Sequence, residues 1–268
     1  VTNGTIAIMP QQGLQGTTVL VTGGAGGLGK AISMAYLDAG ANVAVCDINE
    51  DLLASTRAEL EPTGRFLGVK TDITDETAMQ QLVDETVAKF GRLDVLVNNA
   101  GIMDRFDPVA ELDRQVWDRL LNVNLTGSFL SAKAAVNAFL KQEQGGLVIQ
   151  IGSNASYAGH TSGLAYSVSK HGVQALVKHT ASYYGDQGIY SIGLMLGAMP
   201  DTNISASMAT TGMNKEGYAK TAGSGAMQPH NVIKLDDVAK YAVFLTDRSI
   251  ARSANGSMIT FTANWPKA

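Results

Sequence analysis

The stretch TTVLVTGGAGGLGKAISMAY (residues 17–36) decides the fold. Its opening residues, Thr17 to Val21, are β-branched or apolar and read as a buried strand. Further on, Ile32, Ala35, Tyr36 and Ala39 fall on one face of a helix. Between the two lies Thr22-Gly23-Gly24-Ala25-Gly26-Gly27-Leu28-Gly29. Glycine accepts positive φ and lets backbone N–H groups come close to a bulky anion. The helix that follows aims its partial positive charge at the same point. Two spacings fit the run. Gly24-X-Gly26-X-X-Gly29 is the general dinucleotide fingerprint, and Thr22-Gly23-X-X-X-Gly27-X-Gly29 is a longer variant. Either one places a diphosphate at this turn, and neither is specific by itself.

Outward from this unit the same rhythm repeats. Residues 41–48, 65–73, 93–101, 146–153, 190–197 and 257–263 are strand-like and largely apolar, as in a parallel sheet covered on both faces. Helical patterns separate them. The clearest spans 75–90, where Met79, Leu82, Val83, Thr86, Val87 and Phe90 share a face, Asp75 is suited to cap the start and Gly91 to stop the end. Alternation of this kind predicts an α/β fold: a single-domain, doubly wound parallel sheet of the Rossmann type, with about seven strands and helices on both faces. The domain covers 14–268 after an N-terminal extension, 1–13. Residues 198–230, rich in Gly, Ser, Thr, Ala and Met, break the rhythm and are expected to form a substrate-binding lid.

Bulk properties narrow the partners. The chain has 268 residues, 45% of them apolar and 16% charged, with formal charge −4. No Lys/Arg run marks a nucleic-acid surface. A single cysteine, Cys46, rules out an intrachain disulfide, and His160, His171, His179 and His230 are too scattered for a zinc site. No secretory leader or apolar run of bilayer-spanning length is visible, so the default expectation is a cytoplasmic protein with no membrane or metal partner.

Four further positions carry chemistry. Asp47 closes the second strand, 18 residues past Gly29, where a carboxylate can accept both ribose hydroxyls of an adenosine and repel a 2′-phosphate. No basic residue follows it directly, so NAD is expected in preference to NADP. Tyr166 and Lys170 lie four apart in a helical stretch and therefore on one face. A cation beside a phenol lowers its pKa by roughly 1–3 units from about 10, and a proton donor works best near the working pH. Ser153, at a strand end thirteen residues earlier, is placed to hold a substrate oxygen.

Together, Thr22-Gly23-X-X-X-Gly27-X-Gly29, Asn98-Asn99-Ala100-Gly101, Asn124, Ser153 and Tyr166/Lys170 resemble, in order and spacing, the short-chain dehydrogenase/reductase family over about residues 14–263. The resemblance implies hydride exchange between NAD(H) and a carbonyl or secondary alcohol. It implies diphosphate contacts at Gly23, Gly27, Leu28 and Gly29, ribose binding at Asp47, and adenine contacts at Asp72 and Ile73. It also implies that Asn99, Ala100 and Gly101 border the cofactor, with Gly197, Met199 and Thr202 on its nicotinamide side. It implies Tyr166 as acid/base, Ser153 as the group polarising the substrate, and Lys170 as the residue that tunes the phenol and holds the nicotinamide ribose. Asn124 resembles the residue whose carbonyl holds a water in the proton relay, with Asn122 the runner-up.

The chain also departs from the family pattern. Leu196-Gly197 stands for the usual Pro-Gly, Ile192 for an Asn, and Thr262-Ala263-Asn264 for Asp-Gly-Gly. Met103, Tyr157, His160, Leu196, Met199, Met208, Met213 and Met227 fall in segments that line the pocket in relatives, and adaptable methionines favour an apolar, bulky substrate. Two other readings of such a chain are an isomerase or dehydratase that retains NAD, and a non-catalytic cofactor sensor. Relatives pair through the helices at about 113–142 and 163–185, so a homodimer or homotetramer is expected. Val116, Leu120, Leu130, Ala134, Val168, Gly172 and Leu176 are the candidate contacts.

Overall fold

Short runs of Val, Leu and Ile form the strands, and their alternating side chains are buried on both faces of one sheet. The computed structural model describes residues 13–205, 212–222, 228 and 230–265. The strands are β1 (Thr18–Thr22), β2 (Asn42–Asp47), β3 (Phe66–Lys70), β4 (Val95–Asn98), β5 (Gly146–Ser153), β6 (Ile189–Leu196) and β7 (Met258–Phe261). They pair in the order β3-β2-β1-β4-β5-β6-β7, and every pairing is parallel. On one face Val19, Val21, Val43, Val45 and Ile149 meet helices α1 (Gly27–Asp38) and α8 (Leu235–Leu245) through Ile32, Tyr36, Val238 and Ala242. On the other, Leu20, Ala44, Leu96 and Val148 meet α3 (Glu76–Phe90) and α5 (Ser128–Phe139) through Met79, Leu82 and Phe139. The fold is the expected seven-stranded doubly wound sheet.

Local signals explain where elements begin and stop. Asp75 caps α3 by accepting the Ala78 N–H, and Gly91 ends it in the left-handed conformation. The remaining helices are α2 (Glu50–Leu60), α4 (Arg114–Leu121), α6 (Leu164–Tyr184), α7 (Lys215–Ala222) and α9 (Arg248–Ser253). One expectation needs correction. The helix placed at 113–142 is interrupted by a π-helical turn, Asn122–Gly127, between α4 and α5. The 198–230 segment contains α7 and a 3₁₀ turn at Asn203–Ser205, although its composition lacks a strong helical pattern. Met208 and Met227 lie outside the described residues. No helix of the described residues is long and apolar enough to cross a membrane.

The chain leaves β1 toward one side of the sheet and returns at β4 on the other. A crevice therefore opens beyond the C-terminal ends of β1 and β4, and the sequence-selected residues gather there.

Candidate active site

Helix α1 begins at Gly27 with no side-chain cap and no acidic residue in its first turn, so its N–H groups face the crevice without a competing carboxylate. Gly23 and Gly27 have φ of +63° and +49°, and a Cβ on Gly29 would stand 2.1 Å from the Gly23 carbonyl oxygen. The longer glycine spacing is thus the one the backbone obeys. The side chain of Asn99 donates to the carbonyls of Thr22 (2.9 Å) and Gly23 (3.2 Å). Thr22 Oγ1 accepts the N–H groups of Asn99 and Ala100, each at 3.0 Å. These bonds tie the ends of β1 and β4 together and fix the floor of the crevice.

Asp47 lies at the rim, where Oδ1 accepts the Asn49 N–H (3.0 Å) and Oδ2 the Ala25 N–H (3.3 Å). Asp72 closes an Asx turn by accepting from Thr74 N (2.9 Å) and Thr74 Oγ1 (2.8 Å), beside the buried Ile73. On the far side, Thr202 and Asn203 lie against Gly27, so the chain after β6 covers the glycine turn. One cavity of about 890 Å³ is lined by every residue expected to touch the cofactor, from Gly23, Leu28 and Gly29 through Asp47, Ile73 and Gly101 to Gly197, Met199 and Thr202. A glycine floor that a Cβ would fill and an uncapped helix start fit a dinucleotide diphosphate.

The reacting groups lie further along this cavity. Ser153 ends β5 and its Oγ accepts the Ala155 N–H at 3.1 Å. The same hydroxyl donates to Asn154 Oδ1 at 3.1 Å. Burial pushes the neighbouring Tyr166 phenol well above its ordinary pKa; the Ser153 hydroxyl opposes that rise and the charge of Asp104 adds to it. Lys170 Nζ donates to the Ile151 carbonyl (2.9 Å) and lies 5.6 Å from the Tyr166 ring centroid. Burial lowers its pKa to about 8. In the protein alone, desolvation outweighs the expected lowering of the phenol by Lys170, because both groups sit out of water.

Asn124 is buried in the π-helical turn and does not line the cavity. Its Oδ1 accepts the Ile102 N–H (2.8 Å) and its Nδ2 donates to the Ile102 carbonyl (2.9 Å). Its own carbonyl accepts from Ser128 Oγ (2.7 Å). The runner-up, Asn122, is exposed and lines the cavity's outer part.

Of the expected pocket residues, Met103, Leu196 and Met199 line the cavity. Tyr157, His160 and Met213 are exposed and are not part of its wall. Sequence reasoning missed Phe106, Ile204, Tyr218 and Trp265, which are in the wall. Trp265 is brought in by a tight turn. Ala263 and Asn264 have φ of +50° and +59°, and the Trp265 N–H donates to the Thr262 carbonyl at 3.0 Å, as in a type I′ turn. The indole meets the His160 ring edge-on at 6.2 Å. The unusual Thr262-Ala263-Asn264 was the available signal.

Comparison with known proteins identifies the family. The short chain dehydrogenase family model matches residues 17–212. The chain is 44% identical over 255 residues to the short chain dehydrogenase/reductase dpchG of Colletotrichum higginsianum, covering 94% of this chain and 95% of that one. It is 36% identical over 258 residues to 3beta-hydroxysteroid dehydrogenase 2 of Eggerthella lenta, again covering 94% and 95%. Among solved structures, levodione reductase superposes with a TM-score of 0.82 at 25% identity, over 95% of this chain and 99% of that one. The chain belongs to the short-chain dehydrogenase/reductase family, whose members are oxidoreductases that bind a nicotinamide cofactor.

Proposed function

We propose that the protein transfers hydride between NAD(H) and a neutral, apolar, bulky ketone or secondary alcohol, with Tyr166 as acid/base. The observation that carries this reading is the juxtaposition of Ser153 and Tyr166, with Lys170 one helical turn on, all lining the cavity that also contains the glycine floor. A bound nicotinamide supplies or accepts the hydride and, when oxidised, adds a positive charge that favours phenolate. The chain's residues do the rest. In reduction the Tyr166 phenol gives its proton to the carbonyl oxygen; in oxidation the phenolate takes one from the alcohol. Ser153 holds the same oxygen, its own oxygen oriented by the Ala155 N–H. Lys170 orients the cofactor's ribose and supports the phenolate, and Asn124 holds the Ile102 backbone that borders them.

Met103, Phe106, Leu196, Ile204, Tyr218 and Trp265 form a largely apolar stretch of the cavity wall. This supports an apolar substrate, as do relatives such as the hydroxysteroid dehydrogenase. Residues 198–230 serve as the lid that excludes water. Asp47, turned toward the crevice rim, supports NAD over NADP. The test is absorbance of NADH and NADPH with a panel of cyclic ketones and alcohols. NADH-dependent turnover of apolar members is expected, and Asp47→Ala combined with Ile48→Arg should shift preference toward NADPH. Tighter binding of NADPH than NADH by the unaltered protein would overturn the cofactor assignment. Absence of turnover across the panel would favour the isomerase or sensor alternatives.

A further inference from the structure

Helix α6 carries Tyr166 and Lys170, yet its own sequence does not cap it. Its N-cap is Gly163, which makes no side-chain cap, and its first turn holds no acidic residue. The first N–H groups of a buried helix need partners. Here they come from the loop after β4. Asp104 is 2% exposed. Its Oδ2 accepts the N–H of Tyr166 itself, 62 residues away, at 2.9 Å. Its Oδ1 accepts the N–H groups of Gly163 and Phe106, each at 3.1 Å. The Leu164 N–H donates to the Asp107 carbonyl (3.1 Å). The approach is shaped on both sides. A Cβ on Gly163 would stand 2.5 Å from Asp104 Oδ2, so only glycine admits the carboxylate. Phe106 holds φ at +65°, a conformation costly for a bulky residue.

The same loop grips the far wall of the pocket. The Phe106 ring meets that of Tyr218 on α7 edge-on at 5.2 Å. Asn214 N donates to the Arg105 carbonyl (2.7 Å), and Asn214 Nδ2 to Asp107 Oδ1 (3.2 Å).

We propose that Asp104 is a positioning residue for hydride transfer: its buried carboxylate fixes the backbone of Tyr166 and, through Phe106, sets the catalytic helix against the α7 wall of the substrate pocket. Asp104 does not line the cavity, whereas Met103 and Phe106 on either side of it do. It therefore acts through Tyr166 and the wall. This rests on the reading of Tyr166 as acid/base.

Charge gives the role a second consequence. The carboxylate raises the pKa of the phenol. The groups facing this pair are Asp107 and Arg105 from the same loop, paired at 3.5 Å, Lys170 from α6, Ser153 from β5 and Tyr218 from α7. Asp104→Asn keeps the shape, removes the charge and turns an amide donor toward at least one of the N–H groups now capped.

The experiment compares the unaltered protein with Asp104→Asn and Asp104→Ala, using NADH and the bicyclic ketone 1-decalone as probes. For Asp104→Asn, kcat for decalone reduction should fall about 10- to 100-fold, the range a small misplacement produces. NADH affinity, read by its fluorescence, should change less than twofold. The alkaline limb of the reduction profile should move to lower pH by about one unit, since a nearby negative charge disfavours phenolate. Independently of turnover, hydrogen exchange in peptides spanning 164–169 should accelerate in both variants, while peptides of β1 and α1 stay unchanged. Unchanged exchange at 164–169, or an unchanged pH profile and kcat in Asp104→Asn, would overturn the proposal. So would equal losses of NADH affinity and of protection everywhere. If the unaltered protein does not reduce decalone, the substrate reading fails on that probe, and the exchange result still decides whether Asp104 holds Tyr166.

Discussion

The burial of Lys170 works against the fold. The residue is 4% exposed, donates to a carbonyl rather than to an anion, and is lowered from 10.5 to about 8. Because the folded pKa lies below the unfolded one, the unfolded chain binds more protons between about pH 8 and 10.5. Stability contributed at this site is therefore lowest below pH 8 and recovers as pH rises through that window. The difference is worth about 3 kcal/mol. Lys170→Met should raise the thermal stability of the cofactor-free protein at pH 7 and lose that advantage near pH 10, while abolishing turnover. Denaturation curves at the two pH values check this, and a variant less stable than the unaltered protein at pH 7 would refute it. Tyr166→Phe is the complementary change. It deletes one oxygen and keeps the buried ring, so packing and NADH binding should survive. Turnover should fall by at least the ~10²-fold that acid–base catalysis contributes. Steady-state kinetics retaining more than about a tenth of the activity would move the acid/base elsewhere. The sequence made the Ser153, Tyr166 and Lys170 set legible through spacing. It could not show that burial would set the sign of both pKa changes, since that depends on the walls that exclude water.

At the scale of elements, the legible parts were those with local causes. Asp75 and Gly91 bound α3 because one accepts the Ala78 N–H and the other takes a left-handed turn. The π-helical turn at Asn122–Gly127 was not legible, because its cause is tertiary. Its buried Asn124 pairs with both backbone groups of Ile102, 22 residues away, and π turns of this kind concentrate at functional sites. The C-terminal turn is a second such case. Two successive non-glycine residues at positive φ, Ala263 and Asn264, are an unfavourable way to turn a chain, and the result is a tryptophan in the pocket wall, 6% exposed. Trp265→Ala should leave NADH binding unchanged and reduce kcat/KM for 1-decalone about 10-fold or more relative to cyclohexanone. The lost contact of a ring with an apolar substrate is worth about 1.5–3 kcal/mol. An unchanged ratio for the two ketones would make Trp265 a packing residue only.

At the scale of the molecule, the sheet was readable because parallel strands covered on both faces leave continuous apolar runs. What sequence alone could not supply was which apolar helix residues face outward. Of the contacts expected between subunits, Leu120, Leu130 and Ala134 are buried within the chain, and Gly172 is already approached by Leu125. Val116, Val168 and Leu176 are half-buried, and Phe129 on α5 is 45% exposed. A second exposed ring, Phe244 at 52%, lies on α8, on the face where Tyr241 stacks on Phe261 of the edge strand β7. The expectation of a homodimer or homotetramer then rests on Phe129 and its half-buried neighbours for one contact and on Phe244 and the β7 edge for the other. In a two-fold contact each substitution counts twice. Losing about 1 kcal/mol of apolar burial per copy at Phe129 weakens association by about 2 kcal/mol, roughly 30-fold, and a buried, unpaired carboxylate adds to that. Light scattering at micromolar concentration should give a dimer or tetramer for the unaltered protein and a smaller species for Phe129→Glu, with the fold retained by circular dichroism. A monomer for the unaltered protein would end the oligomer reading, and an assembly indifferent to Phe129→Glu would move the contact away from α5.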